Sequence, residues 1–103
     1  MLRKSCHAPM KESKIQKKIM MHLEANSFEV VDVITASKSG IADILACSPL
    51  GHFWAIEVKT PIGRASALQK RFIAKISAKP YAEAFFAYGY EDYLLEFKKR
   101  TIT

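Results

Sequence analysis

The sequence predicts a single α/β domain in which helices flank a sheet, with the element order αβββαβα. Apolar residues recur at helical spacing in three segments, residues 10–26, 66–79 and 91–100. Four shorter segments have the β-branched and aromatic composition of strands: residues 28–34, 41–47, 52–59 and 81–88. With 103 residues, the chain has room for one hydrophobic core and not for two domains.

The first predicted helix is amphipathic. Ile15, Ile19 and Leu23 follow one another every fourth residue, which gives the helix one apolar stripe, and lysines fall on the other side. The residues before this helix show no periodic pattern. We therefore expect a loose leader over residues 1–9 and a folded domain over residues 10–103.

The second predicted helix has clear start and stop signals. Ser66 and Gln69 have the spacing of a capping box, and Pro80 ends the helix. The strand that follows, residues 81–88, is apolar throughout, which is typical of a strand buried on both faces. Gly89 then precedes the final amphipathic helix.

The two middle strands are predicted to form a hairpin. Residues 41–47 and 52–59 are separated by four residues that include Pro49 and Gly51, and this composition favours a tight turn. A small polar loop that ends at Gly40 connects the first strand to this hairpin.

Positive charge is concentrated in two blocks. Sixteen Lys and Arg against ten Asp and Glu give a net charge of +6. Residues 1–27 and 60–80 are basic, whereas residues 28–59 between them are acidic. A single basic helix often only solvates a surface, but two that flank an acidic segment favour a phosphate-bearing partner. The candidate phosphate contacts are Lys14, Lys17, Lys18, Lys70, Arg71 and Lys75.

Several classes of protein are disfavoured by composition. The two cysteines, Cys6 and Cys47, form neither a disulfide framework nor a Cys-x-x-Cys metal motif. The apolar runs are shorter than the roughly 20 residues that a membrane span needs, and the N-terminal stretch lacks the apolar core of a secretory signal. We expect a cytoplasmic protein with no membrane partner.

A pair of carboxylates is predicted in the hairpin. Alternation along residues 52–59 puts Glu57 and Lys59 on one side of the strand, roughly 6.7 Å apart. The midpoint between Asp43 and Glu57 is residue 50, inside the turn, so an antiparallel hairpin places them across from each other. Opposed carboxylates repel unless a cation lies between them, and oxygen ligands favour Mg²⁺ or Mn²⁺ over zinc. The alternative is a loop-ending Asp43 beside an ordinary solvated pair.

Two polar residues lie on apolar stripes. Glu12 aligns with the stripe of the first helix, and Gln69 lies among the apolar positions of the second. We expect both side chains to point inward. The alternatives are that the charge of Glu12 only favours the helix start, and that Gln69 only completes the cap with Ser66.

The run Gly40-Ile41-Ala42-Asp43, followed by Glu57-Val58-Lys59, resembles the motif of the PD-(D/E)xK nuclease superfamily. With Glu12 and Gln69 in their places, it is most similar to the virus-type replication-repair nuclease (VRR-NUC) branch. The similarity covers nearly the whole chain and implies a restriction-endonuclease-like fold, with an αβββαβ core and a mixed sheet flanked by helices. The chain departs from the family at Ala42, where the family commonly has proline.

The resemblance also implies roles for individual residues. The side chains of Asp43 and Glu57 and the carbonyl of Val58 would bind the metal. Lys59 would position or activate the attacking water. The two polar residues on the apolar stripes, Glu12 and Gln69, would support the site.

The resemblance further implies a homodimer, because small stand-alone members of this branch look like homodimers that cut branched DNA such as four-way junctions. We therefore expect an Mg²⁺-dependent DNA endonuclease, for which Mn²⁺ substitutes, acting as a homodimer in a bacterial or phage setting. Two alternatives remain open. One is a non-catalytic basic nucleic-acid-binding module, and the other is a nuclease specific for flaps or single strands.

Overall fold

A computed structural model describes residues 11–101 of the chain. The elements, in chain order, are α1 (Glu12–Ala25), β1 (Glu29–Asp32), β2 (Ile44–Cys47), β3 (Phe53–Lys59), α2 (Ala67–Ser77), β4 (Ala82–Tyr88) and α3 (Tyr90–Thr101). This is the predicted order of helices and strands. The predicted leader, residues 1–9, lies outside the described residues.

The four strands form one mixed sheet in the order β1-β2-β3-β4. The first two pairs are antiparallel, and β3 and β4 are parallel. The predicted hairpin is confirmed, with Ile44 opposite Ile56 at one end and Cys47 opposite Phe53 at the other. The predicted fold class, a mixed sheet flanked by helices, is therefore correct.

The sheet has a large apolar core on one face and a smaller one on the other. The larger core joins the stripe of α1 to β3, β4 and α3, through Ile15, Ile19, Leu23, Trp54, Ile56, Val58, Phe85, Ala87 and Tyr93. The smaller core lies under α2 and contains Ala42, Ala55, Ile73 and Ala84. Within residues 11–101, no helix is both long enough and apolar enough to cross a bilayer.

The first two strands are shorter than predicted at the end where they meet: β1 ends before residue 34, and β2 begins at Ile44 and not at residue 41. The prediction for the first strand extends to residue 34, but β1 ends at Asp32, which is paired with Ile44 at the start of β2. One more bond follows, from the Val33 N–H to the carbonyl of Asp43. Beyond it the two chains separate into a loop, and Ile34 is exposed to solvent.

The starts of all three described helices lie at one end of the sheet. Strands β1, β3 and β4 run in the same direction and end at Asp32, Lys59 and Tyr88. Gln16 of α1 donates to Asp32, so α1 begins at this end. Arg100, in the last turn of α3, pairs with Glu83 at the far end of β4, so α3 begins here as well. We call this end the carboxyl edge.

The loop after β1 is fitted against the first turn of α2. Gly40 has φ of +82°, and a Cβ there would lie 2.8 Å from the Cβ of Leu68 and 2.9 Å from its main-chain carbonyl atoms. Only glycine allows both the backbone conformation and this close approach. The contact between Gly40 and Leu68 thus holds the loop against α2 at the carboxyl edge. Gly40 lies three residues before Asp43, and Leu68 directly precedes Gln69.

We predict that Gly40→Ala destabilises the protein more than Gly51→Ala. Both glycines have positive φ, but a Cβ at Gly51 meets no atom of the described residues within 4 Å. Backbone strain alone should lower the free energy of unfolding by about 1–2 kcal/mol at Gly51. At Gly40 the clash with Leu68 should add roughly another 1–3 kcal/mol. Urea unfolding of both variants measures this difference, and equal losses would contradict the close contact.

Candidate active site

The site is built around a buried glutamate on β3. Glu57 is only 3% exposed, although its neighbours along the strand, Ile56 and Val58, belong to the apolar core. Alternation places Glu57 on the face that α2 covers, together with Lys59. The Lys59 Nζ lies 3.7 Å from the Glu57 Oε2, so the predicted shared side is what the structure shows.

Asp43 lies across the hairpin from Glu57. The pairing of Ile44 with Ile56, continued by one residue, places these two acidic residues opposite each other. The Oδ2 of Asp43 accepts a hydrogen bond of 2.8 Å from the Val58 N–H. The Asp43 side chain thus supplies the acceptor that the main chain of a neighbouring strand would supply, at a position just before β2 begins.

The environment opposes the ionised form of Glu57. Burial is the main cause that raises the pKa of Glu57, to about 7, and the charge of Asp43 raises it further. Lys59 acts in the opposite direction. The Oε2 of Glu57 contacts both Lys59 and Gln69, whereas Oε1 is buried with no hydrogen-bond partner among residues 11–101.

Gln69 caps α2 and contacts the site at the same time. Its main-chain N–H donates to the Ser66 Oγ, and its Oε1 accepts from the Ser66 N–H, which completes the predicted capping box. Its Nε2 donates to the Glu57 Oε2 at 2.7 Å. Gln69 therefore completes the cap and also points toward Glu57, because one amide supplies an acceptor and a donor to different partners.

Glu12 is placed differently from its prediction. It is exposed rather than buried, because the buried stripe of α1 begins one turn later, at Ile15. Its charge nevertheless contributes to the raised pKa of Glu57, although it is the smallest of the causes. Glu12 thus lies at the margin of the site and not inside it.

The donor set fits a small, hard cation. Two carboxylates face each other, and one of their oxygens, Glu57 Oε1, is buried without a partner among the described residues. The Val58 carbonyl points to the same side as its N–H, toward Asp43. Nowhere between residues 11 and 101 do three Asp, Glu, His or Cys side chains converge. Two carboxylates with water ligands suit Mg²⁺, which keeps much of its hydration shell in proteins.

The predicted phosphate-binding residues are all exposed, but they lie at different distances from the site. The Lys18 Nζ lies 4.5 Å from the ring centroid of Tyr90, the first residue of α3, so Lys18 is near the carboxyl edge. Lys75 is in the last turn of α2, six residues beyond Gln69, or about 9 Å further along the axis. The structure therefore does not bring Lys75 to the carboxylates.

Two further basic residues lie at the carboxyl edge. Lys38 is in the loop that delivers Asp43, and Arg64 is in the loop between Lys59 and α2; both are exposed. Their position in loops that directly adjoin site residues is the sequence feature that could have identified them as candidate phosphate contacts. Neither residue was predicted, because the predicted phosphate contacts were all basic residues on helices.

Comparison with known proteins gives one structural relationship. No family model matches the sequence, and no curated protein matches it. Among solved structures, the chain is similar to one described as "VRR_NUC domain", with a TM-score of 0.71 and 26% sequence identity. The match covers 82% of this chain and 94% of that structure. The fold and this match agree with the motif, and together they support the resemblance of the chain to the VRR-NUC nuclease family.

Proposed function

We propose that the protein is a metal-dependent DNA endonuclease that hydrolyses phosphodiester bonds. The observation that supports this most directly is the buried Glu57, which faces Asp43, contacts Lys59 and has one oxygen without a partner among residues 11–101. Desolvating a carboxylate without partners is costly, so such a group is typical of a site that a ligand completes. We take that ligand to be a divalent cation, as the similarity to a VRR-NUC domain implies.

Mg²⁺ is the proposed cofactor, and Mn²⁺ is expected to substitute for it. The side chains of Asp43 and Glu57 and the carbonyl of Val58 would hold the cation, with waters as the other ligands. Bound there, it would supply Lewis-acid stabilisation of the phosphate and a more acidic water.

Lys59 is proposed to orient the attacking water and to stabilise the negative charge that develops on the phosphate. Its ammonium lies beside the carboxylate of Glu57, with the side chain only 12% exposed, so its position is restricted. Gln69 fixes the Glu57 carboxylate by a hydrogen bond to Oε2, which leaves Oε1 free for the cation. Glu12 adds negative charge at the rim of the site.

The surface around the site is suited to a phosphate backbone. Basic residues that belong to α1 and α2 are proposed to bind phosphates without reading bases: Lys14, Lys17, Lys18, Lys70, Arg71 and Lys75. The three helices among residues 11–101 all begin at the carboxyl edge, so their dipoles add positive potential there. Such contacts recognise the shape of the DNA and not its sequence.

We further propose that the enzyme acts on branched DNA, such as a four-way junction, as a homodimer. Each chain holds one set of Asp43, Glu57 and Lys59, and cutting two strands symmetrically requires two such sets. A second copy related by two-fold symmetry supplies the other set.

The decisive experiment is a cleavage assay on a four-way junction with Mg²⁺. We expect Asp43→Asn to lower the rate by roughly a hundredfold or more, since loss of a metal ligand removes about 3 kcal/mol or more of transition-state stabilisation. Glu29→Gln is the matched control, because it also neutralises an acidic residue, one that is exposed and lies at the start of β1. Equal rates for the wild type and Asp43→Asn would overturn the proposed function.

Glu57→Gln should stabilise the metal-free protein at high pH. The pKa of Glu57 is raised from 4.5 to about 7, so the folded state binds the proton more tightly than the unfolded state. The resulting penalty is absent below about pH 4.5, grows between about pH 4.5 and 7, and stays constant at up to about 3 kcal/mol above pH 7. We expect the variant to melt at a higher temperature than the wild type at pH 8 with EDTA. At pH 4 the two proteins should melt at the same temperature.

The same melting experiment tests the metal site independently of catalysis. Mg²⁺ should raise the melting temperature of the wild type and leave that of Glu57→Gln nearly unchanged, because binding to the folded state alone stabilises it. An equal shift in both proteins would show that the cation binds elsewhere.

Light scattering should give a mass near twice 11.6 kDa if the enzyme is a homodimer. The dimer should also nick both opposed strands of one junction within a single binding event. A monomer that introduces single, uncoupled nicks would contradict the proposed homodimer, although it would leave metal-dependent cleavage intact.

A further inference from the structure

An aromatic pair on β4 lies directly beside the proposed catalytic residues. In the parallel pairing of β3 with β4, Glu57 is the partner of Phe86 and Lys59 is the partner of Tyr88. Paired residues on neighbouring strands project from the same face, and the strands are roughly 4.8 Å apart. Phe86 and Tyr88 therefore share the face that carries the carboxylates.

The two aromatic rings differ in burial. Phe86 packs against the small core under α2, as the sequence analysis expected for this strand. Tyr88, by contrast, is 36% exposed at the end of the strand. The rings are stacked, with centroids 6.0 Å apart and an angle of 29° between their planes. Phe86 thus packs against one side of the Tyr88 ring, and Tyr88 remains accessible to solvent at the carboxyl edge.

The other tyrosines near this end have structural partners. Tyr93 is fully buried, and its hydroxyl lies 2.7 Å from the Nδ1 of His22. Tyr90 packs under the ammonium of Lys18 and against the ring of Tyr93. Tyr88 combines an exposed ring with a position one strand away from Lys59, an arrangement that core packing does not require.

We propose that Tyr88 stacks on a base of the nucleotide next to the scissile phosphate, and that the preferred substrate has an unpaired or splayed nucleotide at the cut. The inference rests on the proposed function, since Glu57 and Lys59 place the phosphate. A nucleoside joined to that phosphate reaches the neighbouring strand, where the ring of Tyr88 is exposed. Within a continuous duplex, each base is already stacked on both faces, so a branch point, flap or gap is needed to free one.

The test measures DNA binding in the Asp43→Asn background, in which cleavage is expected to be too slow to interfere with the measurement. The probes are a four-way junction and a continuous duplex of equal length, each with 2-aminopurine beside the expected cleavage position. Tyr88→Ala and Tyr88→Leu should weaken junction binding about tenfold, because stacking on a base is lost, and should change duplex binding less than twofold. Tyr88→Phe should bind both DNAs like the parent and quench 2-aminopurine in the junction alone.

Tyr81→Ala is the matched control. Tyr81 is 74% exposed and immediately precedes the other end of β4, about 23 Å from Tyr88, so its loss should leave junction binding unchanged. Tyr88→Leu keeps an apolar side chain of similar bulk, and melting curves establish that it is folded. Equal weakening of duplex and junction binding by this variant would overturn the inference, as would junction binding at the parental level.

The two proposals fail in different ways. If the wild type cleaves DNA with Mg²⁺ but the Tyr88 variants keep the junction preference, the stacking inference is wrong and the nuclease assignment stands. If no cleavage occurs with any metal but the Tyr88 variants lose the junction preference, the nuclease assignment is wrong, and Tyr88 contacts a base of the bound DNA without any cut beside it.

Discussion

The burial of the Glu57 carboxylate is the constraint on which the carboxyl edge of this protein depends. The side chain is 3% exposed, one of its oxygens has no partner within residues 11–101, and Asp43 lies opposite. An isolated apolar core would favour a neutral residue at this position. The surrounding residues reduce the unfavourable energy only in part: Lys59 supplies positive charge, and Gln69 supplies one donor. The remaining unfavourable energy is what the proposed cation would relieve, so its binding would stabilise the folded protein through this one group.

The position of Asp43 depends on elements that meet at a single close contact. The short turn after β2 sets the hairpin register, and that register brings residue 43 opposite residue 57. Gly40 then allows the loop before Asp43 to lie on Leu68, in the same turn of α2 that presents Gln69. Asp43 from the loop and Gln69 from the helix are thus positioned relative to each other by the close contact between Gly40 and Leu68. A change at Gly40 is expected to disturb both, although the glycine itself has no chemical role.

Much of this architecture could be predicted from the sequence, and the failures have physical causes. The opposition of Asp43 and Glu57 was predictable because the turn between the two strands is short, residues 48–52 in the structure, and leaves little freedom of register. The exposure of Glu12 was not, since periodicity defines the direction of a side chain but not whether a neighbour covers it. The exposure of Tyr88 was not predictable for the same reason: an apolar run does not reveal that α2, which begins at this edge, leaves the last residue of β4 uncovered. Spacing identified Lys75 by its face of α2, although its distance along the helix takes it away from the site.

The proposed selectivity for DNA shape would follow from combining two kinds of contact, neither of which distinguishes one base sequence from another. Lysine and arginine bind any phosphate, and an aromatic ring stacks on any base. Discrimination arises only if both subsites must be filled together. Glu57 and Lys59 lie one strand from Phe86 and Tyr88, so a phosphate and a freed base would have to be presented within a few ångströms of each other. Continuous duplex offers the phosphate but keeps its bases stacked, whereas a branch point offers both. On this view the parallel pairing of β3 with β4 itself determines which DNA is cut, because it fixes the distance between the two subsites.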